Sequence, residues 1–110
     1  MTVSFELFGR EFVALNGGAD NRIEGYGVSL MVECDSQEEV DRYWDKLADG
    51  GQEIACGWVT DRYGVAWQIV PRRLRELLAD PDPGRAQRAM GAMLKMTKIE
   101  IDELERAAAA

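Results

Sequence analysis

The sequence contains no histidine, and that absence removes much of the chemistry a small domain can carry. A Ser-His-Asp relay, a Cys-His pair and the commonest zinc ligand all need an imidazole. The two cysteines, Cys34 and Cys56, do not stand in a CxxC spacing, so neither a redox pair nor a two-cysteine metal site is expected. No GxGxxG follows a strand-like segment and no Walker loop is present, which excludes the usual nucleotide cradles. The carboxylates Glu38, Glu39, Asp41 and Asp45 could hold a hard cation or move a proton, but they read better as the first turn and solvent face of a helix, where they favour the helix dipole. Glu100, Asp102, Glu103 and Glu105 take the same reading. Met90, Met93 and Met96 read as core filler rather than soft-metal ligands.

The bulk properties narrow the field further. With 110 residues, 46% of them hydrophobic, the chain has the size of one domain with a buried core. Thirteen Lys and Arg against twenty Asp and Glu give a net charge of −7, which opposes binding to nucleic acid or to anionic lipid. Two cysteines are too few for a disulfide framework, and Met-Thr-Val-Ser-Phe-Glu has neither a basic nor an apolar leader region. A cytoplasmic location is therefore expected. No apolar run approaches the roughly 20 residues needed to span a bilayer.

The elements that must position any site follow from periodicity. Val3, Phe5 and Leu7 alternate with Thr2, Ser4 and Glu6, the period of a half-buried strand. Phe8-Gly9-Arg10 reads as a turn, Glu11–Leu15 as the hairpin partner and Asn16-Gly17-Gly18 as its stop. Residues 19–25 read as a loop leading into a strand from about Gly27 to Glu33. Ser36-Gln37-Glu38-Glu39 fits a capping box. The stripe Val40, Tyr43, Trp44 and Leu47 predicts a helix that packs on the sheet and stops at Gly50-Gly51. A second hairpin is expected from Cys56–Thr60, a turn at Asp61–Gly64, and Val65–Val70. A short helix carries Leu74, Leu77 and Leu78. Asp82-Pro83 then caps another with a buried stripe of Ala86, Ala89, Met90, Met93 and Leu94. A final helix runs from about Glu100 through Leu104, and the Ala107–Ala110 tail is expected to be unanchored.

The stretch from Cys56-Gly57-Trp58 to Trp67-Gln68-Ile69-Val70-Pro71 resembles the closing hairpin of the PhnB-like branch of the vicinal oxygen chelate superfamily, the glyoxalase, bleomycin-resistance and dioxygenase group. Phe12–Gly18, Glu38–Trp44 and Leu77–Pro83 extend the resemblance. Such proteins often carry the label 3-demethylubiquinone-9 3-methyltransferase, although no residue here supports methyl transfer. The resemblance implies an α+β fold: a βαβββ module preceded by a β-hairpin and followed by C-terminal helices. It divides the one domain into an incomplete first module over 1–25, a second module over 26–71 and a helical extension over 72–106. In complete members a strand and a helix precede the hairpin.

The resemblance also implies a cavity between paired modules, usually with a metal held by His and Glu. Gln68 stands where metal-using relatives place Glu, and the other ligand position falls near Gly27. No metal and no cofactor are therefore expected. Ser29, Met31, Trp58 and Gln68 are expected to face the cavity by strand parity. Cys56 is expected beside it as a free thiol, read more simply as an inert structural cysteine. The function so implied is binding of an unknown small molecule. The alternatives are a metal-dependent lyase or dioxygenase and a non-catalytic structural remnant. A homodimer would cover the hairpin and rebuild a composite cavity, whereas a C-terminal helix folded over the gap would leave a monomer.

Overall fold

The computed structural model describes residues 1–15 and 26–110. The expected stop at Asn16-Gly17-Gly18 and the loop over 19–25 lie outside the described residues. Alternation in the first segment produces β1 (Thr2–Leu7), which pairs antiparallel with β2 (Arg10–Leu15). Phe8 and Gly9 join them with φ values of 51° and 77°, the doubly positive conformation whose twist suits a two-residue hairpin turn. Glycine adopts it freely, and Phe8 does so against its preference. The register puts Phe5 and Phe12 opposite each other with stacked rings 5.6 Å apart. Leu15 does not share the face of Phe5 and Phe12. It lies with Val13 on the other side, because its cross-strand partner is Thr2 rather than Val3.

The second unit builds a four-stranded sheet from β3 (Ser29–Cys34), β4 (Gln52–Glu53), β5 (Trp58–Thr60) and β6 (Ala66–Pro71). Its order is β3-β6-β5-β4, with β3 parallel to β6 and the other pairs antiparallel. The two-residue β4 carries no periodicity and was not legible in the sequence. Helix α1 (Gln37–Ala48) follows β3. Ser36 Oγ accepts the Glu39 N–H at 3.2 Å, so the Ser36 half of the capping box is formed. Gly50 supplies the positive φ after the helix.

Val40 and Trp44 of α1 are buried against Val32, Cys34, Val59 and Ile69, with Tyr43, Leu47 and Trp67 packed around them. This is the helix-side core, and it matches the stripe read from the sequence. Asp61 organises the hairpin behind it. One carboxylate oxygen accepts the N–H groups of Tyr63 and Val65 at 2.9 and 3.0 Å, and the other accepts the Trp67 indole N–H at 2.9 Å.

A second core lies among α2 (Arg72–Leu78), α3 (Pro83–Met93) and α4 (Ile101–Ala109). It contains Val70, Leu74, Leu77, Ala89, Ile99, Leu104 and Ala108. Asp82 caps α3 through the Gly84 N–H, with Pro83 in the first turn as expected. Two expectations fail here. Met90 and Leu94 are 41% and 63% exposed, because α3 turns its small residue Ala89, rather than its long ones, toward α4. The alanine tail is anchored: α4 continues to Ala109, Ala108 is fully buried, and the Arg88 guanidinium donates to the carbonyls of Ala107 and Ala108 at 3.2 and 3.0 Å. The unit is tied to α1 by the Gln37 side chain, which donates to the Ile99 carbonyl at 3.0 Å and accepts the Ile101 N–H at 2.7 Å. Among the described residues no helix is long and apolar enough to cross a membrane.

Placing a charge at the α3–α4 contact tests the anchored tail. Ala108→Asp is expected to lower unfolding free energy by about 2–4 kcal/mol, the cost of an unpaired buried polar group, read as a fall in the urea midpoint. A change within about 0.5 kcal/mol, typical of an exposed site, would restore the unanchored reading.

Candidate functional site

Strand geometry sends alternate side chains to opposite faces. Val32, Cys34, Val59 and Ile69 turn toward α1, so Ser29, Met31, Trp58 and Gln68 turn to the other face. The registers align them further. Met31 is the parallel partner of Gln68, and Trp58 is its antiparallel partner, so a thioether, an amide and an indole stand in one row across three strands.

Gln68 is fixed within that row. Its Nε2–H donates to Ser29 Oγ at 2.8 Å, across the β3–β6 pair. Trp58 is braced by Tyr26, whose ring meets it edge to face at 5.7 Å and 63°. Met31 is 57% exposed, which leaves the row open on the β3 side. The sequence reading thus grouped Ser29, Met31, Trp58 and Gln68 on one face, and the backbone brings them together. It missed Tyr26, which no periodicity singles out.

Cys56 stands apart from the row. It precedes β5 in a left-handed conformation with φ 55°, and its N–H donates to the Met96 carbonyl at 2.8 Å. Gly57 donates to Thr97 at 2.8 Å with φ 85°, and a Cβ there would come within 3.0 Å of the Ile69 carbonyl and Ile99. This corner is the seam between sheet and C-terminal helices, and it accounts for the Cys-Gly pair structurally. Both cysteines are free.

The charged group on the open face is Glu33, two residues beyond Met31. The Arg75 guanidinium hydrogen-bonded to it, helped by Arg72, holds its carboxyl below the usual carboxylate range. Arg72 also reaches Asp35. A cleft of about 380 Å³ lies at the outer edge of β3, between the hairpin residues Leu7, Phe8, Arg10 and Phe12 and both faces of that edge: Met31 and Glu33 on the Gln68 side, Leu30, Val32 and Trp67 on the α1 side. The Phe8 ring reaches Tyr43 of α1 at 6.2 Å. No local pattern points to this cleft, because it depends on how the hairpin docks.

The residues present do not fit the metal that the resemblance implies. Gln68 offers a neutral amide already engaged with Ser29, Gly27 has no side chain, and Glu33 is held by two arginines. Among the described residues no three His, Cys, Asp or Glu groups converge to hold an ion.

The two thiols differ in a way a reagent can read. Burial pushes the Cys34 thiol up to about 11, helped by the nearby Glu39 and Asp35 carboxylates. At pH 8 it is therefore expected not to react with a bulky disulfide reagent in the native protein, and Cys34→Ser should leave the native thiol count unchanged. Rapid native labelling lost in that variant would contradict the packing of β3 against α1.

Three comparisons bear on this geometry. The family model described as 3-demethylubiquinone-9 3-methyltransferase matches residues 1–70. The fold is also similar to the solved PhnB protein from Bacillus cereus, a chain carrying the same family label, at 29% identity and a TM-score of 0.59. That likeness covers 64% of each chain, so this chain spans about two thirds of the other's length or slightly less. No curated protein matches. The matched region holds the hairpin, α1 and nearly all of the four-stranded sheet, including every residue of the Met31–Gln68–Trp58 row. With a family model spanning that much of it, the chain belongs to the 3-demethylubiquinone-9 3-methyltransferase family, PhnB-like proteins with the glyoxalase/bleomycin-resistance type of fold.

Proposed function

We propose that this protein binds a small molecule on the open face of the β3-β6-β5 sheet and does so without a catalytic metal. The observation that carries the reading is Gln68: its amide is held at 2.8 Å by Ser29 in the middle of a row walled by Met31 and Trp58. A polar group with its rotamer fixed, surrounded by apolar side chains, is how a binding face sets ligand orientation. The family name suggests methyl transfer, and the superfamily suggests a metal-dependent lyase or dioxygenase. Neither has support from a described acid, base or ligand set around the row.

A second copy of the chain completes the face in this reading. The hairpin exposes Val3, Phe5, Val13 and Leu15 by 52%, 42%, 58% and 74%, so neither of its faces is covered. A lone two-stranded ribbon is marginal in water, and covering it removes apolar surface at about 25 cal/mol per Å². β3 offers an outer edge beside it. Cover from a second copy would wall the cleft and the Met31 side of the row together.

Two measurements check these statements. Elemental analysis of the purified protein is expected to find well under one equivalent of zinc, iron, nickel or manganese per chain. A full equivalent lost in Gln68→Leu would reverse the assignment. Light scattering after size exclusion at low micromolar concentration is expected to give twice the 12.3 kDa chain mass, and a stable, cooperatively unfolding monomer would refute the second copy.

A further inference from the structure

We infer that the ligand of this face is an uncharged planar ring bearing an amide-type group, and that the face turns away the carboxylate of the same shape. The inference rests on reading the Met31–Gln68–Trp58 row as the binding site. Its first support is the shape of the row. Neighbouring strands lie about 4.8 Å apart, so Met31 and Trp58, one strand to either side of Gln68, have stems roughly 10 Å apart. A flat ring touching a side chain on each side sets them about 7–8 Å apart, at about 3.5–4.0 Å per contact, so one ring resting over Gln68 can touch both. The walls suit such a ring: an indole braced edge-on by Tyr26 on one side, and an adaptable thioether on the other.

Hydrogen-bonding capacity at the floor is the second support. An amide has two N–H donors and a carbonyl acceptor. Gln68 uses one N–H on Ser29 Oγ, and among the described residues its carbonyl oxygen and remaining N–H have no other partner. Ser29, acting there as acceptor, keeps its own O–H to donate. The floor therefore presents donors and an acceptor together, all neutral, which is what a carboxamide or lactam can satisfy at both its oxygen and its nitrogen. A carboxylate has no donor to give the Gln68 carbonyl.

Charge is the third support. Apart from Glu33, no residue of β3, β5 or β6 on this face is charged. The two arginines near it are engaged with Glu33 and Asp35. An entering anion finds no cation on the described residues of these three strands and approaches a chain of net charge −7. Because Arg72 and Arg75 already offset Glu33, an ammonium ligand gains little from it.

The test uses the full chain with benzamide, benzoate, benzylamine and toluene, four ligands with one ring and different heads. Binding is read from the NMR signals of the Trp58 indole N–H and the Gln68 side-chain amide. Benzamide is expected to bind roughly tenfold or more tightly than the other three, the value of one or two hydrogen bonds. In Gln68→Leu, with its fold confirmed by circular dichroism, the benzamide preference over toluene should vanish while toluene binding persists. Ser29→Ala, a milder change that frees the Gln68 amide to rotate, should reduce the preference several-fold and leave toluene unaffected. If benzoate or benzylamine matches benzamide, or the preference survives in both variants, the ligand class is wrong and the face remains a binding site. If none of the four moves the Trp58 or Gln68 signals at millimolar concentration, the binding face itself is overturned, and this inference with it.

Discussion

The architecture depends on the register of β6, a strand bonded along both edges and the one that joins β3 to β5 and β4. It pairs in parallel with β3 and antiparallel with β5, so its alternation decides which face every side chain of the sheet occupies. A slip of one residue would exchange the two faces, sending Gln68 into the apolar layer under α1 and Ile69 out to the open side. Asp61 opposes such a slip. Its bonds to Tyr63, Val65 and the Trp67 indole set where the return strand begins and hold one β6 side chain on the α1 side.

From that register follow two unlike surfaces on one sheet. The α1 side holds a buried apolar cluster, and burial there raises the Cys34 thiol so that it stays protonated at neutral pH. The other side is divided along its length. Its far end, at Val70, is sealed by the C-terminal helices, while on the rest of it Met31 is exposed and Ser29, Trp58 and Gln68 are half-buried. The helical unit thereby limits the open face to the rows around Gln68. Its polar attachments include the Gln37 bonds to Ile99 and Ile101, the Cys56 and Gly57 amides on Met96 and Thr97, the Arg72 and Arg75 contacts to Glu33, and the Lys98–Asp41 ion pair at 2.7 Å. In that ion pair the Lys98 contact lowers the Asp41 carboxyl and the Asp41 contact raises the Lys98 ammonium. Both charges are thus present across neutral pH, and the contact loosens as acid protonates Asp41 or as strong base deprotonates Lys98.

The family resemblance acquires a chemical content from this division. At the centre of the sheet face opposite α1 stands an amide hydrogen-bonded to a serine. A neutral group at that position limits what the face can hold. An ion needs compensating charge, whereas a neutral ring needs shape and one or two hydrogen bonds. The same scaffold is therefore compatible with binding of a kind different from that of metal-using relatives.

Local signals in the sequence determined most of the elements. The alternation of Val3–Leu7, the Ser36 cap, the Val40–Leu47 stripe, the Asp61–Gly64 turn and the Asp82-Pro83 start each act over a few residues, and each element formed where it was read. Parity within strands also placed Ser29, Met31, Trp58 and Gln68 on a common side, because side-chain direction has a fixed period of two. Tertiary structure decided the rest, through contacts between residues distant in the chain. Nothing local says that Ala108 will be buried under Arg88, that α3 will turn Met90 and Leu94 outward, that Tyr26 will brace Trp58, or that Gln68 will meet Ser29 across the β3–β6 pair. Those outcomes depend on which surfaces meet, and a one-dimensional pattern records each segment's apolar face without recording the face that covers it.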